Sequence, residues 1–219
     1  MRKPILFCVF DGTITNTDNI IAIMKKFAPP GWEEIKEKIL SQSIPIQEGV
    51  SQLFQLLPSE WKQEITDYIL NHARIRNGFK EFVEYTKERG YPLYVVSGGI
   101  DFFVEPLLEG LVPKEQIFCN KSDFSTERIQ ILWPYTCDSQ CLNQCGCCKP
   151  SLIRKLAKEN DFKIVIGDSI TDLQAAKLAD QVIARDFLIE KCKELGIQHS
   201  AFHTFFDVID ILEKVEVNA

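Results

Sequence analysis

Ile5-Leu6-Phe7-Cys8-Val9-Phe10-Asp11-Gly12-Thr13 is the stretch on which the architecture turns. An unbroken apolar run that stops at Asp-Gly-Thr reads as a short buried strand with a turn at its carboxyl end. Working outward, Asn19 to Asn71 changes period. Ile20, Ile21, Met24 and Phe27 recur at helical spacing, and Pro29-Pro30-Gly31, Ile44-Pro45 and Leu57-Pro58-Ser59 punctuate further helical stretches. No strand pattern interrupts them, so residues 19–71 are expected to form a small all-helical insertion after the first strand.

Beyond it, strands and helices alternate. Helices are expected over Phe79–Arg89, Asp101–Leu108, Ser151–Glu159 and Thr171–Ala179, with two more closing the chain. Strands are expected over Pro92–Val96, Gln116–Cys119, Arg128–Trp133, Lys163–Ile166 and Val182–Ala184. Such alternation predicts an α/β fold with a doubly wound, Rossmann-like, mostly parallel sheet covered on both faces. Residues 1–18 and 72–219 then form the core domain, and 19–71 the insertion.

Composition narrows the function. The 219 residues are 45% hydrophobic and 26% charged, which is enough to bury a full core. The formal charge of −6 supplies no basic face for nucleic acid. No apolar run approaches the roughly 20 residues of a membrane span. Met1-Arg2-Lys3-Pro4 leads straight into the first strand without a signal-peptide pattern, so the expected compartment is the cytoplasm.

In a doubly wound sheet, ligands sit beyond the carboxyl ends of the strands. Three polar clusters fall there: Asp11-Gly12-Thr13, Ser97-Gly98-Gly99 and Gly167-Asp168-Ser169. Asp11, Asp168 and Asp172 are hard oxygen ligands suited to Mg²⁺ held together with a substrate phosphate. Ser97, Gly98 and Gly99 offer a hydroxyl and approachable backbone N–H groups to phosphate oxygens. Lys149, at a helix start, would balance the negative charge. Each has a plain structural reading too: Asp168 and Asp172 as a helix N-cap and a surface acid, Ser97-Gly98-Gly99 as a turn, Lys149 as a solvated side chain. Their order along the chain, each at a strand end, favours a phosphoryl-transfer site.

Phe10-Asp11-Gly12-Thr13-Ile14-Thr15, Val96-Ser97-Gly98-Gly99, Lys149-Pro150 and Gly167-Asp168-Ser169-Ile170-Thr171-Asp172 resemble, in order, the four motifs of the haloacid dehalogenase superfamily of phosphatases. The resemblance runs along nearly the whole chain. It implies that residues 19–71 are that superfamily's smaller cap, that Asp11, Asp168 and Asp172 hold Mg²⁺, and that Thr13, Ser97, Gly98, Gly99 and Lys149 bind phosphate. Asp11, Ser97 and Lys149 are by the same resemblance the catalytic set. Phe27-Ala28-Pro29-Pro30, Ser97 to Val104 and Cys141 to Pro150 look most like the superfamily's methionine-salvage branch, with phosphoserine phosphatases as second relatives. The implied partner is a small phosphorylated metabolite.

One position departs from the pattern. The superfamily's first motif reads Asp-x-Asp-Gly-Thr, and its first Asp attacks phosphorus; here that position is Val9. An isopropyl group cannot act as nucleophile, bind Mg²⁺ or carry a phosphoryl group. Asp11, the second Asp, is by resemblance the general acid and base. Lying two residues along, its carboxylate should point elsewhere than in line with the leaving group. The chain therefore reads as an Mg²⁺-dependent phosphomonoesterase with impaired turnover. It is a substituted form of a working enzyme, a relative that kept phosphate binding and lost catalysis, or a site where water attacks directly and slowly. A phosphoserine or other small-metabolite phosphatase is the alternative in the same class, and a non-catalytic phosphometabolite-binding protein the alternative outside it.

Five of the eight cysteines, Cys137, Cys141, Cys145, Cys147 and Cys148, crowd into one segment. In a reducing compartment such clustering favours a metal or catalytic role over a disulfide framework. Four thiolates can hold a structural Zn²⁺, although the usual pairs lie in two separated knuckles. The alternative is a loop of small buried residues shaping the approach to Lys149. Cys8, Cys119 and Cys192 are expected in the core. His72, His199 and His203 show no ligand spacing with the cysteines, and His72 is expected in solvent. Met24, Phe27, Trp32 and Phe54 either give the insertion an apolar patch toward the cleft or are its core. Nothing in the pattern speaks to oligomeric state.

Overall fold

The computed structural model describes residues 2–141 and 143–215; Met1, residues 216–219, and Leu142 of the cysteine segment lie outside the described residues. Seven strands form one sheet: β1 Lys3–Cys8, β2 Leu93–Ile100, β3 Ile117–Asp123, β4 Gln130–Leu132, β5 Asp161–Gly167, β6 Gln181–Ala184 and β7 His199–Ala201. Their spatial order is β4-β3-β2-β1-β5-β6-β7. All neighbouring pairs are parallel except β3 with β4. The chain winds outward from β1 through β2 and β3, then restarts on the other side at β5, which makes the flanks of β1 the switch point where such sheets bind ligands. Cys8 pairs with Val95 on one side and Ile166 on the other, so Val9, Val96 and Gly167 reach the same edge of the sheet together.

Period-2 alternation sorts β1 between two cores. Leu6 and Cys8 join a cluster that includes Ile23, Met24, Leu53, Phe54, Ile65 and Ile69 of the helical segment. Ile5 and Phe7 pack on the opposite face with Val165, Leu152 and Ile153. The helical segment contains α1 Asn19–Phe27, α2 Trp32–Leu40, α3 Ile46–Gln55 and α4 Lys62–His72. Asp18 caps α1 by accepting the Ile21 N–H, and α1 ends at Ala28 in the left-handed region, before two prolines that cannot continue a helix. The two ends of the segment are pinned side by side: Asn16 N–H donates to the Arg74 carbonyl and Arg76 N–H to that of Ile14. The remaining helices are α5 Phe79–Arg89, α6 Asp101–Leu108, α7 Lys149–Leu156, α8 Leu173–Ala176, α9 Asp186–Glu194 and α10 Phe205–Lys214.

Three elements differ from the sequence reading. Ser97-Gly98-Gly99 is not a turn: β2 runs through it to Ile100, with a register shift against β3 between Val96 and Ile100. The Asn120 amide donates to the Gly98 carbonyl at 2.8 Å, so pairing with β3 keeps a glycine-containing irregularity inside the strand. The expected helix over 171–179 is a single 3₁₀ turn, Ile170–Asp172, running into the short α8. β7 was not anticipated; three residues without apolar alternation pair as a strand because β6 presents an edge to them.

Candidate active site

The loop after β1 is held on all sides. The Val9 N–H donates to the Ile166 carbonyl at 3.0 Å and the Val9 carbonyl accepts from the Ile14 N–H at 3.3 Å. Gly12 has φ of +74°, and a Cβ there would lie 2.3 Å from Asp168 Oδ2, so glycine is required both for the turn and for the approach of the carboxylate. Thr13 Oγ1 donates to Asp168 Oδ1 at 2.7 Å. Arg76 is 8% exposed and its guanidinium donates to the carbonyls of Thr13 (2.7 Å), Gly12 (2.9 Å) and Thr15 (3.1 Å), which clamps the loop from below.

Asp11 points into this frame. Its Oδ1 accepts from the Asn19 side chain at 2.7 Å and the Asn19 N–H at 3.1 Å, and its Oδ2 accepts from the Ser97 hydroxyl at 3.4 Å. Burial pushes the Asp11 carboxyl up to about 7; the charges of Asp18 and Asp168 act in the same direction, against the Asn19 hydrogen bonds. A carboxyl that titrates near neutrality is suited to giving and taking a proton at physiological pH. Ser97 is fully buried, and its Oγ also accepts the Gly99 N–H at 2.8 Å. The Gly99 amide is therefore engaged within β2. A Cβ on Gly99 would lie 2.7 Å from Asp11 Oδ2.

On the other side, Asp172 is fully buried and both of its oxygens are engaged. Oδ2 accepts the backbone N–H groups of Asp168 (3.0 Å) and Ser169 (2.9 Å), and Oδ1 faces Lys149 Nζ at 2.9 Å. Burial works against the carboxylate's charge, but Lys149 and the two amides outweigh it and hold Asp172 below the usual carboxylate range. Burial likewise opposes the Lys149 ammonium, and pairing with Asp172 outweighs that, leaving Lys149 above the ordinary lysine value. Lys149 Nζ also donates to Thr171 Oγ1 at 3.2 Å. Burial and then the Asp172 charge push Asp168 up to about 7, against the Thr13 hydrogen bond and Lys149.

The structure thus sets Asp11, Ser97 and Gly99 in one hydrogen-bonded group and Thr13, Asp168, Asp172 and Lys149 in a second, the two joined through the Asp11–Thr13 stretch of the loop, with Val9 buried at the end of β1. Asn19 and Arg76 were missed by sequence reasoning. Asn19 carried a signal, a polar residue opening a helix straight after the first motif. Arg76 carried none.

Beside the array lies a cavity of about 640 Å³. Ile39, Leu40, Ile44, Pro45 and Ile46 line it from the helical segment, Gly98, Lys149 and Thr171 from the core, and Asn143, Gln144, Cys145 and Cys147 from the cysteine segment. Apolar lining comes from both sides, from Ile39 to Ile46 of the helical segment and from Pro150, Ile170 and Leu173 of the core. Met24 and Phe54 are fully buried and Trp32 nearly so, while Phe27 packs on Trp61 and Tyr68; these four are core. His72 is exposed and stacks on Tyr68. Cys8, Cys119 and Cys192 are buried. The cysteine segment divides: the Sγ atoms of Cys137, Cys141, Cys145 and Cys148 gather, while Cys147 directs its thiol to the Phe118 carbonyl at 3.5 Å and packs in the second core.

A mostly parallel sheet whose switch point carries carboxylates after β1 and β5, a serine within β2 and a buried lysine at the start of α7 defines the class: the chain belongs to the haloacid dehalogenase-like hydrolases, whose family model matches residues 6–177. Among its relatives, the 2-hydroxy-3-keto-5-methylthiopentenyl-1-phosphate phosphatase of Geobacillus kaustophilus is 64% identical over 216 residues, covering 99% of this chain and 98% of that protein. The protein of that name from Geobacillus thermodenitrificans is 62% identical over 218 residues, covering 100% and 99%. The one from Bacillus velezensis is 55% identical over 219 residues, covering 100% and 94%. Among solved structures, a phospho-aspartyl intermediate analogue of phosphoserine phosphatase is similar in fold, with a TM-score of 0.73 at 19% identity over 99% of this chain and 100% of that one.

Proposed function

We propose that this chain is a phosphatase of the methionine-salvage type, built to bind 2-hydroxy-3-keto-5-methylthiopentenyl-1-phosphate, with turnover depressed by Val9. The observation that carries the reading is the buried array of Asp11, Thr13, Ser97, Asp168 and Lys149 beside an apolar-walled cavity, in a chain that matches phosphatases named for that ester along its full length. Residues 19–71 act as the cap: their Ile39–Ile46 stretch supplies a wall suited to a methylthio tail, and Lys149 on the floor is suited to the phosphate. Ser97 orients the Asp11 carboxyl, which holds the proton for the leaving oxygen. Among the described residues no helix is long and apolar enough to cross a membrane, in keeping with work on a small metabolite in the cytoplasm.

The residues fit Mg²⁺. Asp168 is a hard oxygen donor set beside the buried charge of Asp172, and a divalent cation is the counter-charge such a site favours; glycine at 12 leaves room for the carboxylate where a Cβ would lie 2.3 Å from Asp168 Oδ2. Asp168 through its carboxylate, and Asp11 through its backbone carbonyl, would hold the ion, and Mg²⁺ supplies charge that stabilises the phosphoryl oxygens. Asp172, with both oxygens engaged, holds Lys149 in place and is a positioning residue more than a ligand. With valine at position 9 one anionic ligand is missing, so Mg²⁺ binding is weak.

The test compares the chain as written with its Val9→Asp form, using Mg²⁺ and a panel of phosphomonoesters that includes phosphoserine. Val9→Asp is expected to raise Mg²⁺-dependent turnover by about 10⁴- to 10⁶-fold, the range lost when a cooperating nucleophile is removed. The salvage ester should lead the panel. Turnover of about 10 s⁻¹, an ordinary enzyme rate, by the chain as written would overturn the role given to position 9. A preference for phosphoserine would overturn the substrate.

A further inference from the structure

We propose that Cys137, Cys141, Cys145 and Cys148 form a structural Zn²⁺ site that fastens the Lys149-bearing segment to the cavity wall. The four Sγ atoms all lie within 4.8 Å of one another, although the described residues between β4 and α7 include no helix or strand. Zn–S bonds of about 2.3 Å at tetrahedral angles place sulfurs about 3.8 Å apart. The Cys141 and Cys145 Sγ atoms are 3.8 Å apart. That separation is far too long for a disulfide, whose sulfurs sit at about 2.0 Å, and all eight cysteines are free. Four soft thiols converging within 4.8 Å of one another select zinc over the hard cations that carboxylates favour.

The surroundings match a thiolate cluster. The Cys145 N–H donates to Cys137 Sγ at 3.5 Å and the Ser151 hydroxyl to Cys148 Sγ at 3.0 Å, contacts that orient metal-bound sulfur and disperse its charge. Cys148 occupies the N-cap position of α7, directly before Lys149. Arg154, nearly two turns further along α7 and held by Asp138 at 2.6 and 2.7 Å, adds positive charge nearby. Binding is a simple exchange: each thiol releases a proton to solvent as its Zn–S bond forms, and nothing is oxidised or reduced. The fifth cysteine, Cys147, faces the Phe118 carbonyl and stays outside the set.

The location gives the ion its purpose. Cys148 directly precedes Lys149, and Gln144 and Cys145 line the cavity. The Gln144 carbonyl accepts the Gln47 N–H of α3 at 3.3 Å, so the same loop reaches the helical segment. Four Zn–S bonds would fix both contacts at once. This inference does not depend on the substrate proposed above, and its readouts do not include activity.

The experiment is elemental analysis of the full-length chain, purified under reducing conditions from zinc-supplemented medium, with thermal unfolding followed in parallel. Near-stoichiometric zinc is expected in the unaltered chain and in Cys147→Ser, and strongly reduced zinc in Cys141→Ser and Cys145→Ser. Co²⁺ exchanged into the unaltered chain should show thiolate charge-transfer bands and the visible absorption of tetrahedral cobalt. Were the serine variants to misfold, the unaltered and Cys147→Ser chains with the cobalt spectrum still decide. Zinc far below stoichiometric in the unaltered chain, full retention in Cys145→Ser, or zinc lost with Cys147→Ser would each overturn the site.

Discussion

Replacing Lys149 with Met keeps an unbranched apolar stem and removes the ammonium. Its partner, the Asp172 side chain, is 0% exposed and that of Lys149 7%, so water cannot replace the lost charge. Removing one member of a buried pair costs about 3–5 kcal/mol, because the other is left buried and unpaired. Asp172 retains the N–H groups of Asp168 and Ser169, which places the loss at the lower end, about 3 kcal/mol. Unfolding entropy of about 2.1 cal/mol/K per residue over 219 residues is about 0.46 kcal/mol/K, so Tm should fall by about 6–7 °C near neutral pH. The pH dependence carries a sign. Asp172 titrates below its unfolded value when paired, so its contribution is present above the unfolded carboxylate pKa and is lost as pH falls through the folded one. Lys149 titrates above its unfolded value, so its contribution is present below the unfolded lysine pKa and is lost as pH rises through the folded one. Without Lys149 the folded-state Asp172 takes up a proton more readily, so acidification relieves the variant more than the parent. Scanning calorimetry of both chains from about pH 7 down to about pH 4, bracketing the carboxylate range, should therefore show the Tm gap narrowing. A gap below about 1 °C at neutral pH, or one that widens on acidification, would refute the account of Lys149 as a buried counter-charge.

Gly99→Ala would place a methyl group 2.7 Å from Asp11 Oδ2 and 2.8 Å from Val104 Cγ2, so the Asp11 carboxyl must shift. Measured in the Val9→Asp background, kcat should fall about 100-fold, the scale of an ångström's misplacement, with the fold retained by circular dichroism. Arg76→Met leaves three loop carbonyls without their donor. At about 1–3 kcal/mol for each buried group left unsatisfied, calorimetry should show a Tm loss of at least about 6 °C, and a loss under about 2 °C would mean that the loop stands without the clamp.

Much of this protein is written in local sequence. The apolar run Ile5–Phe10 and the alternation after residue 79 specify a parallel sheet because strand and helix periods depend on neighbouring residues. The candidate-site residues Asp11, Ser97, Lys149 and Asp168 stood out because each falls at or near the end of such an element, and topology delivers those regions to one edge of the sheet. The departure from the motif at Val9 was legible for the same reason. What the tertiary structure decided are contacts between parts of the chain far apart in sequence. Pairing with β3 drew Ser97-Gly98-Gly99 into a strand. The meeting of α7 with the Ile170–Asp172 turn gave Asp172 to Lys149. Burial selected Ile39–Ile46 over Met24 and Phe54 as the cavity wall. Arg76 reached the Asp11 loop only because the helical segment returns beside its own start. Four of five crowded cysteines bring their sulfurs together while the fifth turns to the Phe118 carbonyl, and spacing along the chain does not encode which way a side chain points.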